Sequence, residues 1–395
     1  MMSKNEESIN IKQSPFIRKL SIVFMFLGVL TLLGSFLLED SQKTAASYLV
    51  PFVYFLFLSL GALFFLSVQY VTGAVWSVNL RRMMESMTAY LPLSVLLLVP
   101  LVYYGQYLYE WFHPSHVEND PILMGKTAYL NVPFFLIRLA VFFAGWLFFY
   151  KKFIKLSHSQ DKDGQLQWME KLTRYSVGFL LFFALSFSFL SVDLLMSLDA
   201  HWFSTIFGVY TFAGAFQSAL AGMILLTIYM IPRSKGRITK DHLHDLGKFL
   251  MGITLFWAYI AFSQYMLIWY ANLPEETTFF IPRSKEPWMW VSIALIVFKF
   301  AVPFICLLPR WVKRNYVAVS VMSILILIMQ YVDIYWLVYP SVSEEVLRWD
   351  LLDLGFFIGF LGLFLYSIFK FFSKYPALPL KDPMEQKSTD HHVTY

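Results

Sequence analysis

One cysteine, Cys306, stands alone in a chain of 395 residues. Without a partner it excludes an internal disulfide framework, a C-x-x-C redox pair, a C-x-x-C-H haem attachment site and any cysteine-ligated iron–sulfur cluster. Charge is scarce as well: Asp, Glu, Lys and Arg make up 14% of the chain, where a soluble domain carries about 25%. The eight histidines, His113, His116, His158, His201, His242, His244, His391 and His392, all fall between or beyond the long apolar runs. No facing pair of axial ligands for a buried haem is therefore expected. A phosphate-cradling glycine loop, an H-E-x-x-H and a G-x-S-x-G are absent too, and no basic stripe with interleaved aromatics suggests nucleic acid. Any redox centre that the protein serves must sit on a partner.

What is abundant is apolar: 58% of the residues are hydrophobic and 19% aromatic. That balance excludes a disordered chain and places this one in a bilayer. A helix needs about 20 mostly apolar residues to cross the hydrocarbon, and ten such runs occur, at 20–38, 48–72, 90–109, 130–150, 175–198, 205–231, 249–272, 288–308, 315–339 and 351–372. The runs do not alternate, which argues against a β-barrel, so the expected fold is all-α with ten transmembrane helices. Of the 31 Lys and Arg residues, 23 fall in the N-terminal segment 1–19, the loops 73–89, 151–174, 232–246 and 309–314, and the end of the last run with the tail 373–395. Only Lys43, Lys126, Arg283, Lys285 and Arg348 fall in the alternate loops. The positive-inside asymmetry makes both termini cytoplasmic. The two largest inner loops, 151–174 and 232–246, the second holding His242 and His244, read as charged, solvated connectors.

Four ionisable groups lie at membrane depth, where a charge is costly enough to suggest function: Arg138, Asp193, Lys299 and Asp333. Asp353 and Lys370 are near helix ends and read as interface anchors. The four deep groups repeat a pattern. Arg138 and Lys299 are each followed by x-A-V-x-F, while Asp193 and Asp333 occupy S-V-D-L and Y-V-D-I. A weaker match links G-A-L at 61–63 with G-A-F at 214–216. Helices four and five thus look like helices eight and nine, an offset of four that makes a parallel repeat about an axis along the membrane normal. The aspartates are expected about 8–9 Å from the outer helix ends and Arg138 about 12 Å. Each half is therefore expected to hold one basic–acid pair, as a register-fixing ion pair or as a proton relay.

Two stretches, M-S-L-D-A-H-W-F-S-T-I-F-G at 196–208 and S-Q-Y-M-L-I-W-Y-A-N-L-P-E-E-T at 263–277, resemble the F-type membrane subunit of bacterial alternative complex III. That complex is a quinol:cytochrome c oxidoreductase, and the subunit belongs to the polysulfide-reductase-like (NrfD-type) membrane proteins. The resemblance implies two four-helix bundles, 48–198 and 205–339, with helices one (20–38) and ten (351–372) outside them. It implies a bacterial cytoplasmic membrane, a chain with no cofactor of its own, and partners that carry haem c and iron–sulfur clusters. Those partners would be multihaem cytochrome c subunits, an iron–sulfur subunit and a related quinol-oxidising membrane subunit. It also implies proton handling, for which Arg138, Asp193, Lys299 and Asp333 are the candidates. Asp199 and His201 form a candidate polar site at the outer face, and Asn272, Glu275 and Glu276 a candidate docking segment.

The expected function is a cofactor-free membrane subunit of that oxidoreductase, giving assembly surface and a proton path. A rival of another class is an independent secondary transporter or ion channel built from two parallel repeats. Against it, no pair of helices shows matched central Gly/Pro breaks in both halves. A quinol-oxidising enzyme in its own right would lack any internal electron acceptor.

Overall fold

The computed structural model describes residues 15–38, 40–342 and 349–393. Lys4, Lys12 and Arg348, counted above, lie outside them, as do residues 394–395 of the tail. Among the described residues all regular structure is helical. Nine helices are long and apolar enough to cross a membrane, or ten when one bent pair counts as a single span. In chain order they are α1 (Pro15–Ser35), α2 (Ser41–Val71), α3 (Val78–Leu96 and Leu98–Leu108, meeting at 61°), α4 (Val132–Asp163) and α5 (Leu166–Leu194). There follow α6 (Phe207–Met230), α7 (Lys240–Ala271), α8 (Trp288–Leu307), α9 (Tyr316–Val342) and α10 (Leu351–Lys374). Helices of this number, length and apolarity are those of a multi-pass membrane protein.

The helix ends follow from capping more than from hydropathy. Asn131 caps α4 by accepting from Phe134 N (2.9 Å), and the helix runs 32 residues before Gly164 (φ +69°) stops it in the left-handed region. The connector expected at 151–174 is thereby corrected. Most of it is helix, because the lysines and glutamines after Tyr150 are good helix formers that do not need lipid. At α7, Thr239 and His242 form a capping box. His242 and His244 therefore lie on the first turns of a helix and are buried, not in a solvated loop, and His158 lies on α4.

Packing centres on α2, which is sheathed by α3, α5, α6, α9 and α10. Helices α4 and α5 pair closely, and α6 packs along α7 and α9, with α8 filling in between. Helix α1 lies on α10, where a Cβ on Gly28 would come within 2.5 Å of Gly359 Cα. The G-A-L and G-A-F strings meet at the α2–α6 crossing: a Cβ on Gly61 would lie 2.7 Å from Ala215 O and from Ala219 Cβ. Beyond α10 the chain turns back, and residues 375–393 run across the end of the molecule that bears the basic loops. That end is called the basic end below.

Candidate functional site

The four deep charges form two pairs. Arg138 reaches Asp193 with two parallel bonds, Nε to Oδ2 (2.9 Å) and Nη2 to Oδ1 (2.8 Å), the fork geometry that suits guanidinium and carboxylate. Its third nitrogen donates to Tyr129 O (2.9 Å), and the Tyr129 hydroxyl donates to Asp193 Oδ1 (3.0 Å). The Tyr129 and Phe134 rings cover the guanidinium at 3.9 and 4.4 Å. Asp193 is in the last turn of α5, closer to a helix end than expected, because the chain beyond Leu194 tightens into a 3-10 turn at Met196–Leu198.

The second pair is deeper. Lys299 donates to Asp333 and to Gln330 Oε1 (2.7 Å), and the Tyr210 hydroxyl donates to Asp333 from α6. Neither charged side chain has more than 2% of its surface exposed. Lys299 sits in a π-helical stretch of α8, Leu295–Ala301, a local widening that re-aims side chains and recurs at functional sites. Pro303 has no N–H to give Lys299 O, and Gln217 Nε2 bonds that carbonyl instead (3.3 Å). The absent Cβ of Gly214, which would lie 2.6 Å from Gln330 Oε1, makes room for the glutamine that holds the lysine. Asp333 lies nine residues before the end of α9, about 13 Å deep at 1.5 Å per residue.

Each pair has a tyrosine between it and a cavity. Tyr129 borders a cleft of about 310 Å³, together with Lys126, Ser197, Asp199 and Trp202. Tyr210 borders an apolar cavity of about 660 Å³ between α7, α8 and α9, which reaches the surface past Tyr259, Phe262 and Ile296. The buried Gln264 also lines it. Both tyrosines escape a sequence reading, since nothing separates them from the other 21 of the 23 tyrosines in the chain.

At the basic end a third buried cluster was not expected. Glu85 accepts from Arg82 Nη1 and from the Ser157 hydroxyl, both at 2.6 Å, and Arg82 also pairs with Asp161 and donates to His158 Nε2 (3.3 Å). Arg82 and Glu85 are at most 1% exposed. The signal available in the sequence was an Arg and a Glu three apart around Met83 and Met84, in a segment read as a loop.

Of the remaining candidates, Asp199 and His201 do not face each other. Asp199 Oδ1 caps its own turn, accepting from His201 N and Trp202 N at 3.2 Å. The His201 ring instead meets Asp120 (2.5 Å) and, by hydrogen bonding, holds that exposed carboxyl below its usual range. Asn272 ends α7 in the left-handed region (φ +49°), and Glu275 is exposed. The two stretches quoted above touch: Trp202 Nε1 donates to Glu276 O (3.0 Å). Arg283, expected in an exposed loop, is buried. It caps Trp336 O (3.1 Å) and Leu337 O (2.9 Å), because Pro340 has no N–H for Trp336 O. Burial among neutral acceptors pushes its guanidinium down to about 9. Asp353, expected as an interface anchor, is buried too and accepts from the Tyr339 hydroxyl (2.5 Å).

Among the described residues no group of three or more His, Cys, Asp or Glu side chains is placed to hold a metal ion. No family model matches the chain, and no curated protein is significantly similar to it.

Proposed function

We propose that this chain is a cofactor-free integral membrane subunit of a bacterial quinol:cytochrome c oxidoreductase of the alternative complex III type, an NrfD-type protein of the cytoplasmic membrane. On this reading both termini and the basic end face the cytoplasm. Helices α2–α5 and α6–α9 form two parallel repeats, and the opposite end carries partners with haem c and iron–sulfur clusters. Asn272, Glu275 and Glu276 contribute to the surface on which those partners dock.

The observation that carries the reading is the recurrence of one device in both halves. A cation on the first helix of a pair bonds an aspartate on the second directly, and a tyrosine that borders a cavity donates its hydroxyl to that aspartate. A carboxylate that accepts from a hydroxyl can receive a proton through that hydroxyl from water beyond it. The neighbouring cation stabilises the ionised state to which the carboxylate returns. Such a device suits proton movement linked to electron transfer in partner subunits.

Purification through a tag on this chain tests the assignment. A co-eluting set of subunits with a reduced haem c absorption band supports it. A homogeneous single-chain species that moves a solute across vesicles would replace it with the transporter.

A further inference from the structure

The segment after α10 is bound along its whole described length. Tyr375 stacks on His158 (ring centroids 3.9 Å), and Leu380 N donates to Asp161 Oδ1 (3.1 Å). Asp382 pairs with Arg81 (3.2 Å), Ser388 donates to Trp76 O (2.9 Å), and Ala377, Leu378 and Ser388 are buried. His158, Asp161 and Arg81 are the partners or sequence neighbours of Arg82, so the segment lies directly over the Arg82–Glu85–Asp161 cluster. Beneath it, Arg81 Nε, Arg82 Nε, Asn79 Oδ1 and Gln160 Nε2 are buried without a hydrogen-bond partner among the described residues. Polar atoms in that state are costly to keep covered and gain by meeting water, so the covered state needs a fastening.

That fastening is at the far end of the segment. His391 Nε2 meets Asp245 Oδ2 (2.6 Å), His392 Nδ1 approaches Asp241 Oδ2 (3.5 Å), and Arg310 donates to Val393 O (3.0 Å). The charged and titratable groups facing the two imidazoles are Asp241, Asp245, Lys248 and His242 on α7, with Arg310 and Arg314 from the α8–α9 turn. Lys248 and Arg314 neutralise one carboxylate each, and among the described residues Asp241 and Asp245 are the carboxylates paired with the imidazoles.

We propose that residues 375–393 are a lid over the buried Arg82–Glu85–Asp161 cluster, and that the lid is latched by the His391–Asp245 and His392–Asp241 pairs. The sign follows from the pairs. A protonated imidazole is held to its aspartate by charge as well as by a hydrogen bond, and a neutral one by the hydrogen bond alone. Protonated imidazoles hold the lid closed more tightly than neutral ones, so it loosens as pH rises. It thus sets when solvent reaches the cluster, and this holds whether or not the Arg138–Asp193 and Lys299–Asp333 pairs relay protons or the chain joins a redox complex.

Cysteine labelling of the full-length chain tests the lid. In a Cys306→Ser background, Ser388→Cys reports lifting of the lid and Ser157→Cys reports exposure of the cluster to a water-soluble maleimide. At pH 6, His391→Ala with His392→Ala is expected to raise both labelling rates about fivefold over the intact latch, the size that two partly exposed ion pairs allow. At pH 8 the ratio is expected to fall below about twofold. Comparison at one pH cancels the ionisation of the thiol itself. Should either cysteine prevent folding, hydrogen exchange over 377–389 in the otherwise unaltered chain, with and without the two alanines, reads the same ratio. Equal rates with and without the histidines at pH 6, or a ratio that does not change between pH 6 and pH 8, overturns the latch. Labelling of Ser388→Cys without labelling of Ser157→Cys overturns the lid's cover of the cluster.

Discussion

Removing one member of the Lys299–Asp333 pair should cost far more than removing both. In Asp333→Asn the ammonium keeps Gln330 Oε1 (2.7 Å) and the Trp257 ring (4.3 Å) but loses the carboxylate that neutralises it. Discharging an ordinary lysine at pH 7 costs about 4–5 kcal/mol, at 1.36 kcal/mol per pKa unit, which caps the penalty. In Lys299→Met the aspartate keeps Tyr210 and can take a proton, at about 4 kcal/mol by the same arithmetic. Both figures agree with the roughly 3–5 kcal/mol seen when buried pairs are broken. The double variant leaves no charge. The amide oxygen introduced by Asp333→Asn would still accept from Tyr210, and methionine fills the volume of the lysine stem, so the loss should be about 1 kcal/mol. Unfolding free energies of the four proteins in a bilayer mimetic at pH 7 complete the cycle, with an expected coupling of at least about 3 kcal/mol. Losses that add within about 0.5 kcal/mol would refute the claim that the two charges hold each other.

Asp193→Asn and Asp333→Asn, in the purified complex, should each lower proton release per electron transferred; unchanged stoichiometry in both would end the relay reading. Gly61→Val should push α2 from α6, since a Cβ there already meets Ala215 O at 2.7 Å, and lower stability by about 1–3 kcal/mol in thermal unfolding. Glu275→Lys with Glu276→Lys should loosen extramembrane partners while the chain stays inserted, which the subunit composition after purification checks. Cysteines replacing Lys235 and Lys285 should label from opposite faces of sealed vesicles, and labelling from one face would overturn the span count.

Much of the architecture was legible because hydrocarbon is an unforgiving solvent. Nine of the ten apolar runs fall on long single helices, the run at 90–109 is broken at the bend of α3, and the four charges inside such runs could be singled out by cost alone. Hydropathy reports lipid, however, and not helix. Helix α4 continues through Lys151, Lys152 and Lys155 because backbone bonding there needs no apolar surface, so the long connector vanished. The reverse error hid the basic-end cluster. Arg81 and Arg82 were counted as topology markers, and a count of charges does not reveal that Glu85 three residues on turns Arg82 inward. Burial of Arg283 was invisible for a related reason, since one of its acceptors, Trp336 O, is a carbonyl freed by Pro340, 57 positions along the chain. The docking of the tail was not legible, because the hydrogen bonds and ion pairs that hold it leave no periodic trace.

The Arg138–Asp193 and Lys299–Asp333 pairs share a plan but not a chemistry, and the difference bears on what each can do. A guanidinium stays protonated in proteins, so the Arg138–Asp193 pair changes charge only if a proton from outside reaches Asp193. The route offered is the Tyr129 hydroxyl, beside a cleft at the molecule's end. An ammonium can give up its proton when buried, so the Lys299–Asp333 pair can also pass through a state in which both members are neutral. That state is within reach at the depth where charge separation costs most, and Gln330 and Tyr210 can bond either form. The π-helical turn and the Gly214 gap serve this second pair alone. A register pin would need neither feature, because the simpler Arg138 fork already supplies geometry and charge. On the proposed relay reading, the surroundings of Lys299 supply partners that stay hydrogen-bonded whether the pair is charged or neutral.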